Sequence, residues 1–433
     1  MNIRDIEKGF RAAALKDGDD AFRQFLSAME PVSPECPICH SLLTKIDIRE
    51  KTIVSLMGTG RYERIYYECP NGHGHFVPCD EMVGIMGTSF TPGVRLVVSK
   101  LASAGSFEWA SEALEEIAEI YVSPKETQRI SESAGETIEI QNKNRIVEVM
   151  IPESPRSKFD EHTAPPTRTK ATVYIEYDGT GIPVSGKELA GRKGKQLDGS
   201  AKTREVKLGC IFSQSIFDEK GDPIRDENST SYVGAIENAE SFGWRLFAEA
   251  NQRGVESYER MVVIGDGAKW IWGIASQHFP NAIQIVDLYH AKEHLYELSR
   301  KLFTQQEERQ SVLNEWLKTL EAGNIEILVA EIRAIKGLND VQMEKASAEA
   351  NYFTENSERM RYEKFNNMKL FVGSGVIEAG CKTVIGRRLK QSGMFWGLRG
   401  ANAIIALRCA DLSCNKDLNS YFETICNQYR YTA

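Results

Sequence analysis

No stretch of this sequence approaches the ~20 consecutive apolar residues that a membrane-spanning helix needs, and none is repetitive or of low complexity. The opening residues, MNIRDIEKGFRAAALKDGDD, lack the basic-then-apolar order of a secretory leader, so a cytoplasmic protein is expected. Neither charge sign dominates. Sixty-one acidic residues against 53 basic ones leave a net charge of −8. That excludes a uniformly cationic coat but not local cationic stripes. The nine cysteines are an odd number, and Cys210, Cys381, Cys409 and Cys426 sit in apolar-patterned segments. Reduced thiols fit this better than a disulfide framework. With 42% hydrophobic and 26% charged residues, the chain is not disordered throughout. Its 433 residues exceed the usual single domain.

The patterning predicts a multi-domain α/β protein. Residues 1–30 read as a helix with a weak apolar face (Phe10, Ala14, Phe22, Leu26), and 31–85 as a cysteine-rich module around the hairpin KTIVSLMGTGRYERIYYEC. Residues 90–145 turn helical, and 146–170, with four prolines and no sustained period, read as a linker. From Ala171 onward strands alternate with helices. TVYIEYD, VKLGCIFS, MVVIGD and AIQIVD are the strands, with helices predicted over Ala235–Gln252, from Ala268 and from Leu288. Residues 291–370 contain no convincing strand, and further helices start near Gly375 and Leu398.

Cys36-Pro-Ile-Cys39 lets one tight turn present two thiolates to a single ion, and the hairpin returns the chain to Cys69-Pro-Asn-Gly-His73. Two such knuckles match a closed tetrahedral structural zinc site, so Cys36, Cys39, Cys69 and His73 are the expected ligands. His75 and Cys79 compete with His73 for the fourth place. A hairpin this small buries too little apolar surface to fold unaided, which favours a zinc-ribbon-like module.

In SFEWASEALEEIAEIYVSPKETQRISESAGETIEI, the residues Phe107, Ala110, Leu114 and Ile117 fall at helical spacing, and Ser123-Pro124 caps a second helix. This is a helix-turn-helix pattern. It places Thr127, Gln128 and Arg129 in the first turns of the second helix, where a recognition helix meets base edges.

Three carboxylates stand at strand ends or a helix start, each beside or near glycine: Asp178 in VYIEYDGTGIPV, Asp266 in MVVIGDGAKW and Glu378 in FVGSGVIEAGCKTVIGRRLK. Asp-Gly after a strand is ordinary turn chemistry when it stands alone. Three carboxylates gathered together repel unless a cation neutralises them. Two Mg²⁺ (or Mn²⁺) ions ~4 Å apart would suit phosphodiester chemistry.

The strings DGTGIPV, GDGAKWIW, FPNAIQIVDLYHAKEHL and GSGVIEAGCKTVIGRRLKQSGMFW follow one another through most of residues 171–412. Together they resemble bacterial insertion-sequence transposases of the ISKra type, which are related to the Mutator-like elements. The resemblance implies an RNase H-like mixed-sheet core over residues 171–290, interrupted by an all-helical insertion over 291–370 and completed by helices over 371–433. It makes Asp178, Asp266 and Glu378 the DDE triad that holds two Mg²⁺, and Asp287-Leu-Tyr-His290 an accessory signature. Asp287 also follows a strand and competes with Asp266 as the second ligand.

Basic residues crowd beside these carboxylates. Lys193, Lys195, Lys202 and Arg204 lie on a glycine-rich loop, and Lys382, Arg387, Arg388 and Lys390 lie in an acid-free run from Cys381 to Arg408. Both are expected to contact phosphates. Trp396 is the expected stacking partner for an extruded base. The activity expected is DNA cleavage at element ends followed by strand transfer. Double-stranded DNA would be the partner, with a homodimer or larger assembly on it and a nucleoid-associated location when bound. The alternatives are a catalytically silent DNA-binding descendant and an RNase H-like nuclease that does not join.

Overall fold

The computed structural model describes residues 2–31, 33–151, 169–194, 201–414 and 418–422. The chain divides into two compact units, residues 1–138 with 416–433, and residues 139–415. Among the described residues no helix is long and apolar enough to cross a membrane.

In the first unit, α1 (Ile3–Ala28) starts from an Asn2/Asp5 capping box. Leu26 on its last turns is buried, whereas Phe10 is exposed. Leu26 joins Ile53, Tyr62 and Ile85 in a small core over the antiparallel hairpin of β1 (Thr44–Ser55) and β2 (Gly58–Glu68). The short β3 (His75–Phe76) adds to β2, and α2 (Pro78–Met82) follows. Asp80 is buried beneath the hairpin, where it accepts from Tyr62 Oη (2.7 Å), Lys51 Nζ (2.8 Å) and Arg64. Three helices complete the unit: α3 (Pro92–Ala104), α4 (Phe107–Ala118) and the part of α5 (Pro124–Met150) before Glu139. Val94, Val98, Leu114, Ile120, Val122 and Ile130 form their common core together with Val54 of the hairpin.

Helix α5 corrects the expected linker. It runs unbroken through Met150, because KNRIVEVM contains no helix breaker before Pro152, and the next strand already begins at Thr169. The remainder of that linker, residues 152–168, lies outside the described residues.

The second unit is built on a five-stranded mixed sheet. Its strands are β4 (Thr169–Pro183), β5 (Thr203–Gln214), β8 (Ser231–Ala235), β9 (Tyr258–Gly265) and β10 (Ile283–Val286), in the order β10-β9-β4-β5-β8. β4, β5 and β8 pair antiparallel, while β4, β9 and β10 run parallel. A small hairpin of β6 (Ile216–Phe217) and β7 (Pro223–Ile224) extends from β5. β8 overturns the expected helix start at Ala235: SYVGA is a buried strand, and α6 (Ala239–Gln252) begins only at its Asn238 cap. β9 leads into α7 (Lys269–His278), and β10 into α8 (Leu288–Leu302). Four more helices follow with no strand between them: α9 (Gln306–Glu321), α10 (Ile325–Ala334), α11 (Asp340–Glu355) and α12 (Tyr362–Asn367). The chain then returns through α13 (Gly375–Gly380), a π-helical segment (Cys381–Gly386), α14 (Arg387–Leu389) and α15 (Leu398–Leu412).

The period-2 alternation of β4 sorts its side chains between two faces. Tyr177 packs against Phe242 of α6 and Trp270 of α7, and its hydroxyl donates to Ile271 O at 2.7 Å. Glu176 and Asp178 therefore point to the opposite face, beneath α13 and the π-helical segment. There Gly380 lies so close to the sheet that a Cβ would stand 2.9 Å from the Tyr232 ring.

Candidate functional site

Two groups of polar residues are candidates, one in each unit. In the first, Cys36, Cys39, Cys69 and His73 bring their ligand atoms within 4.8 Å of one another. Cys39 Sγ lies 3.6 Å from Cys69 Sγ, while His73 Nδ1 lies 3.5 Å from Cys69 Sγ and 3.7 Å from Cys36 Sγ. Zn–S bonds of about 2.3 Å and Zn–N bonds of about 2.0 Å at tetrahedral angles put donors about 3.5–3.8 Å apart, so the donor set fits a metal such as zinc. The thiols differ: burial raises Cys69, whereas Cys36 and Cys39 lie below the ordinary thiol range. The Asn71 amide (3.4 Å), the Ser41 hydroxyl and the Ser41 backbone amide hold Cys39 down at about 5. The three contenders for the fourth ligand separate clearly. His75 is exposed on β3, and Cys79 is buried elsewhere with its thiol directed to Met29 O at 3.3 Å.

In the second unit, register places the carboxylates. Glu176 on β4 stands opposite Ile264 on the parallel β9, and Asp178 and Asp266 each follow that pair by two residues, Asp266 just past the end of β9. Adjacent strands lie about 4.8 Å apart. Asp178 Oδ1 accepts from Gly179 N at 2.6 Å, and Cys381 Sγ approaches Oδ2 at 3.9 Å. Asp266 Oδ1 accepts from Ala268 N at 2.9 Å, in a turn made possible by the positive φ of Gly267. Glu378, in the first turn of α13, is exposed. Burial raises the Asp178 carboxyl above the usual range, and the charges of Asp266 and Glu378 push it the same way, against the Gly179 amide. The three therefore share one electrostatic field, although they do not form a set as tight as the Cys₃His cluster.

Asp287 has different work. It is buried and caps α8 by accepting His290 N at 2.6 Å, while its other oxygen accepts the Ser374 amide. It ties the strand that neighbours Asp266 to the segment that carries Glu378, and both of its oxygens are occupied by backbone. His290 is partly exposed, with Nδ1 3.7 Å from Glu293. His294 is held more firmly: it bonds Glu349 at 2.6 Å and stacks on Tyr352 at 4.1 Å. Tyr352 Oη in turn donates to Asp266 O at 3.3 Å. The helical segment after β10 thus braces the Asp266 turn.

Several expected contacts are corrected. Arg388 is completely buried, with its guanidinium over the Trp396 ring at 5.0 Å, so it cannot meet phosphates. Arg408, in the same basic run, is buried as well, and its Nε donates to Val384 O in the π-helical segment (2.8 Å). Trp396 is buried and donates to Leu389 O at 3.1 Å, which removes it as a stacking surface. Thr127 is buried and donates to Val122 O across the α4–α5 turn, so it cannot read bases. Lys382, Arg387 and Lys390 are exposed, and Lys390 reaches Thr180 Oγ1 at 2.5 Å, two residues from Asp178. Lys193 and Lys202 are exposed and Arg204 is half-buried; Lys195 lies outside the described residues. Arg192, Lys193 and Arg204 line a cavity of about 430 Å³ at the start of β5.

Glu176 was not among the expected site residues. An acid inside an apolar strand run gives no sign on its own of what will cover it. It is fully buried; Oε2 accepts Ile377 N at 2.9 Å, and Oε1 has no partner among the described residues. Burial pushes it up to about 8, with Asp287 and Glu378 adding to the shift and the Ile377 amide and Arg225 opposing it. The protonated form belongs to the fold, so its stability contribution is complete below about pH 4.5 and is lost as pH rises through about 8. Glu176→Gln is accordingly expected to unfold in parallel with the parent below about pH 4.5. Its relative stability should then grow towards pH 8 and level off, at about 1.4 kcal/mol per pKa unit. Urea titrations across that range check this, and parallel curves throughout would refute it.

A family model for an uncharacterised protein family, UPF0236, matches residues 43–418. The chain belongs to that family. The match takes in the second knuckle, Cys69 to His73, and all three carboxylates, and begins after the Cys36–Cys39 turn. A comparison with curated proteins found no match.

Proposed function

We propose that this chain is a DDE-type DNA transposase with an RNase H-like catalytic core. The observation that carries this is the convergence of Asp178, Asp266 and Glu378. Asp178 on β4 and Asp266, just past the end of the adjacent parallel β9, follow the Glu176–Ile264 pair by two residues each, a third carboxylate lies on a helix packed over the same sheet face, and burial, aided by the charges of the other two, raises the first. An all-oxygen, hard donor set of this kind suits Mg²⁺ or Mn²⁺, and those cations would supply Lewis-acid stabilisation of phosphodiester oxygens.

The protein's own groups define the rest. Asp178 and Asp266 are oriented by the Gly179 and Ala268 amides, and exposed Glu378 would complete the set. Lys382, Arg387, Lys390, Lys193 and Lys202 would contact phosphates on either side. In the first transfer, water attacks phosphorus at the element end and the departing oxygen leaves as a 3′-OH. In the second, that hydroxyl attacks a target phosphodiester, one P–O bond forming as another breaks. No covalent protein–DNA link is involved. The Cys₃His knuckles, which would hold zinc, and the α4–α5 pair, with Gln128 and Arg129 exposed, would read terminal inverted repeats. Two ends held together imply at least a dimer.

Incubation of purified protein and Mg²⁺ with a supercoiled plasmid carrying its own locus tests the proposal. Breaks at defined flanking repeats together with joined products are expected. Breaks without joints would mean a nuclease, and binding without breaks a DNA-binding descendant.

A further inference from the structure

Trp396 is buried, but the residue before it is not: Phe395 is 73% exposed. This exposure is built in. Trp396 N donates to Pro183 O (3.3 Å) and Ser185 N to Trp396 O (2.9 Å), which fixes a strand-like bridge to the end of β4. The indole is locked by Leu389 O and covered by Arg388. Alternation along an extended segment turns Phe395 to the opposite side from its anchored neighbour.

The surroundings indicate what a Phe in this position meets. Exposed Lys382, Arg387 and Lys390 precede it, and no acid occurs between Cys381 and Arg408. Lys390 bridges to Thr180, on the strand that carries Asp178. A cationic track ending in an aromatic ring is how proteins hold single strands, since every base offers a face to stack on. The Val184 bridge lies six residues beyond Asp178, just past the end of β4, roughly 20 Å of extended chain.

We infer that Phe395 is a stacking platform for an unpaired nucleobase of the DNA strand that enters the carboxylate site. The inference rests on the function proposed above and adds a residue and a ligand class to it.

Fluorescence anisotropy of the full chain on an oligothymidylate of about 20 nucleotides, and on a duplex of equal length, tests this. Phe395→Ala should weaken single-strand binding roughly 5- to 150-fold. It should leave duplex affinity and the salt dependence unchanged, and Phe395→Trp should restore binding. Single-strand affinity within about twofold of the parent overturns the platform while leaving the transposase reading intact. An equal loss on both probes also overturns it, because the ring would then be structural. If the parent chain binds neither probe, the functional reading fails and the platform fails with it.

Discussion

Asp178→Ala is expected to lower the yield of cleaved and joined DNA by at least about a thousandfold, roughly 4 kcal/mol of transition-state stabilisation, without lowering the melting temperature. Removing this carboxylate relieves burial and like-charge repulsion, so the fold loses little. Asp266→Ala and Glu378→Ala should act alike. The double substitutions should be no worse than the singles, because the residues would work as one unit. Asp287→Ala is the informative contrast. It removes the cap of α8 and the bond to the Ser374 amide, so it should destabilise the fold by about 1–3 kcal/mol. Comparing melting curves with plasmid end-mapping for the four variants separates the two classes. An Asp178→Ala protein that cuts normally, or an Asp287→Ala protein that melts normally and does not cut, would reverse the assignment.

The second large effect concerns the thiolates. Purified protein is expected to contain one zinc per chain, and Cys69→Ser or His73→Ala should remove it. A structural zinc contributes about 10–16 kcal/mol in isolated modules, and the cluster Cys36, Leu43, Tyr67 and Cys69 is small. Without the metal, residues 36–76 should open to protease. His75→Ala and Cys79→Ser should keep the zinc, since neither side chain joins the cluster. Elemental analysis with limited proteolysis reads both results. Zinc retained in Cys69→Ser, or lost in Cys79→Ser, would contradict the ligand set.

How much of this was legible in the residues follows a physical pattern. Local chemistry showed: Cys-x-x-Cys and Cys-x-x-x-His announce a knuckle, Asp-Gly after an apolar run announces a strand end, and Pro-free helical patterns mark helices. Register did not show. Whether Asp266 or Asp287 faces Asp178 is decided by how β9 pairs with β4, a contact made between strands far apart in the chain. Burial of charge did not show either. Arg388 and Arg408 look like any surface cation until the packing of α13, the π-helical segment and α15 encloses them. Glu176 is the same lesson for an acid. Trp396 and Phe395 are adjacent aromatics, and only the bridge to Val184 decides which one points inward. β8 does not show in the sequence, because five residues containing a glycine carry too little pattern to compete with the helix that follows.

Asp178, Asp266 and Glu378 are proposed to hold the divalent cations of a phosphodiester-transfer reaction. Electron paramagnetic resonance of Mn²⁺ titrated into zinc-replete protein tests it most directly. Two bound Mn²⁺ per chain are predicted, both lost or strongly weakened in Asp178→Asn and retained in Glu176→Gln. Undiminished Mn²⁺ binding by Asp178→Asn, or none by the parent protein in the presence of DNA, would contradict it.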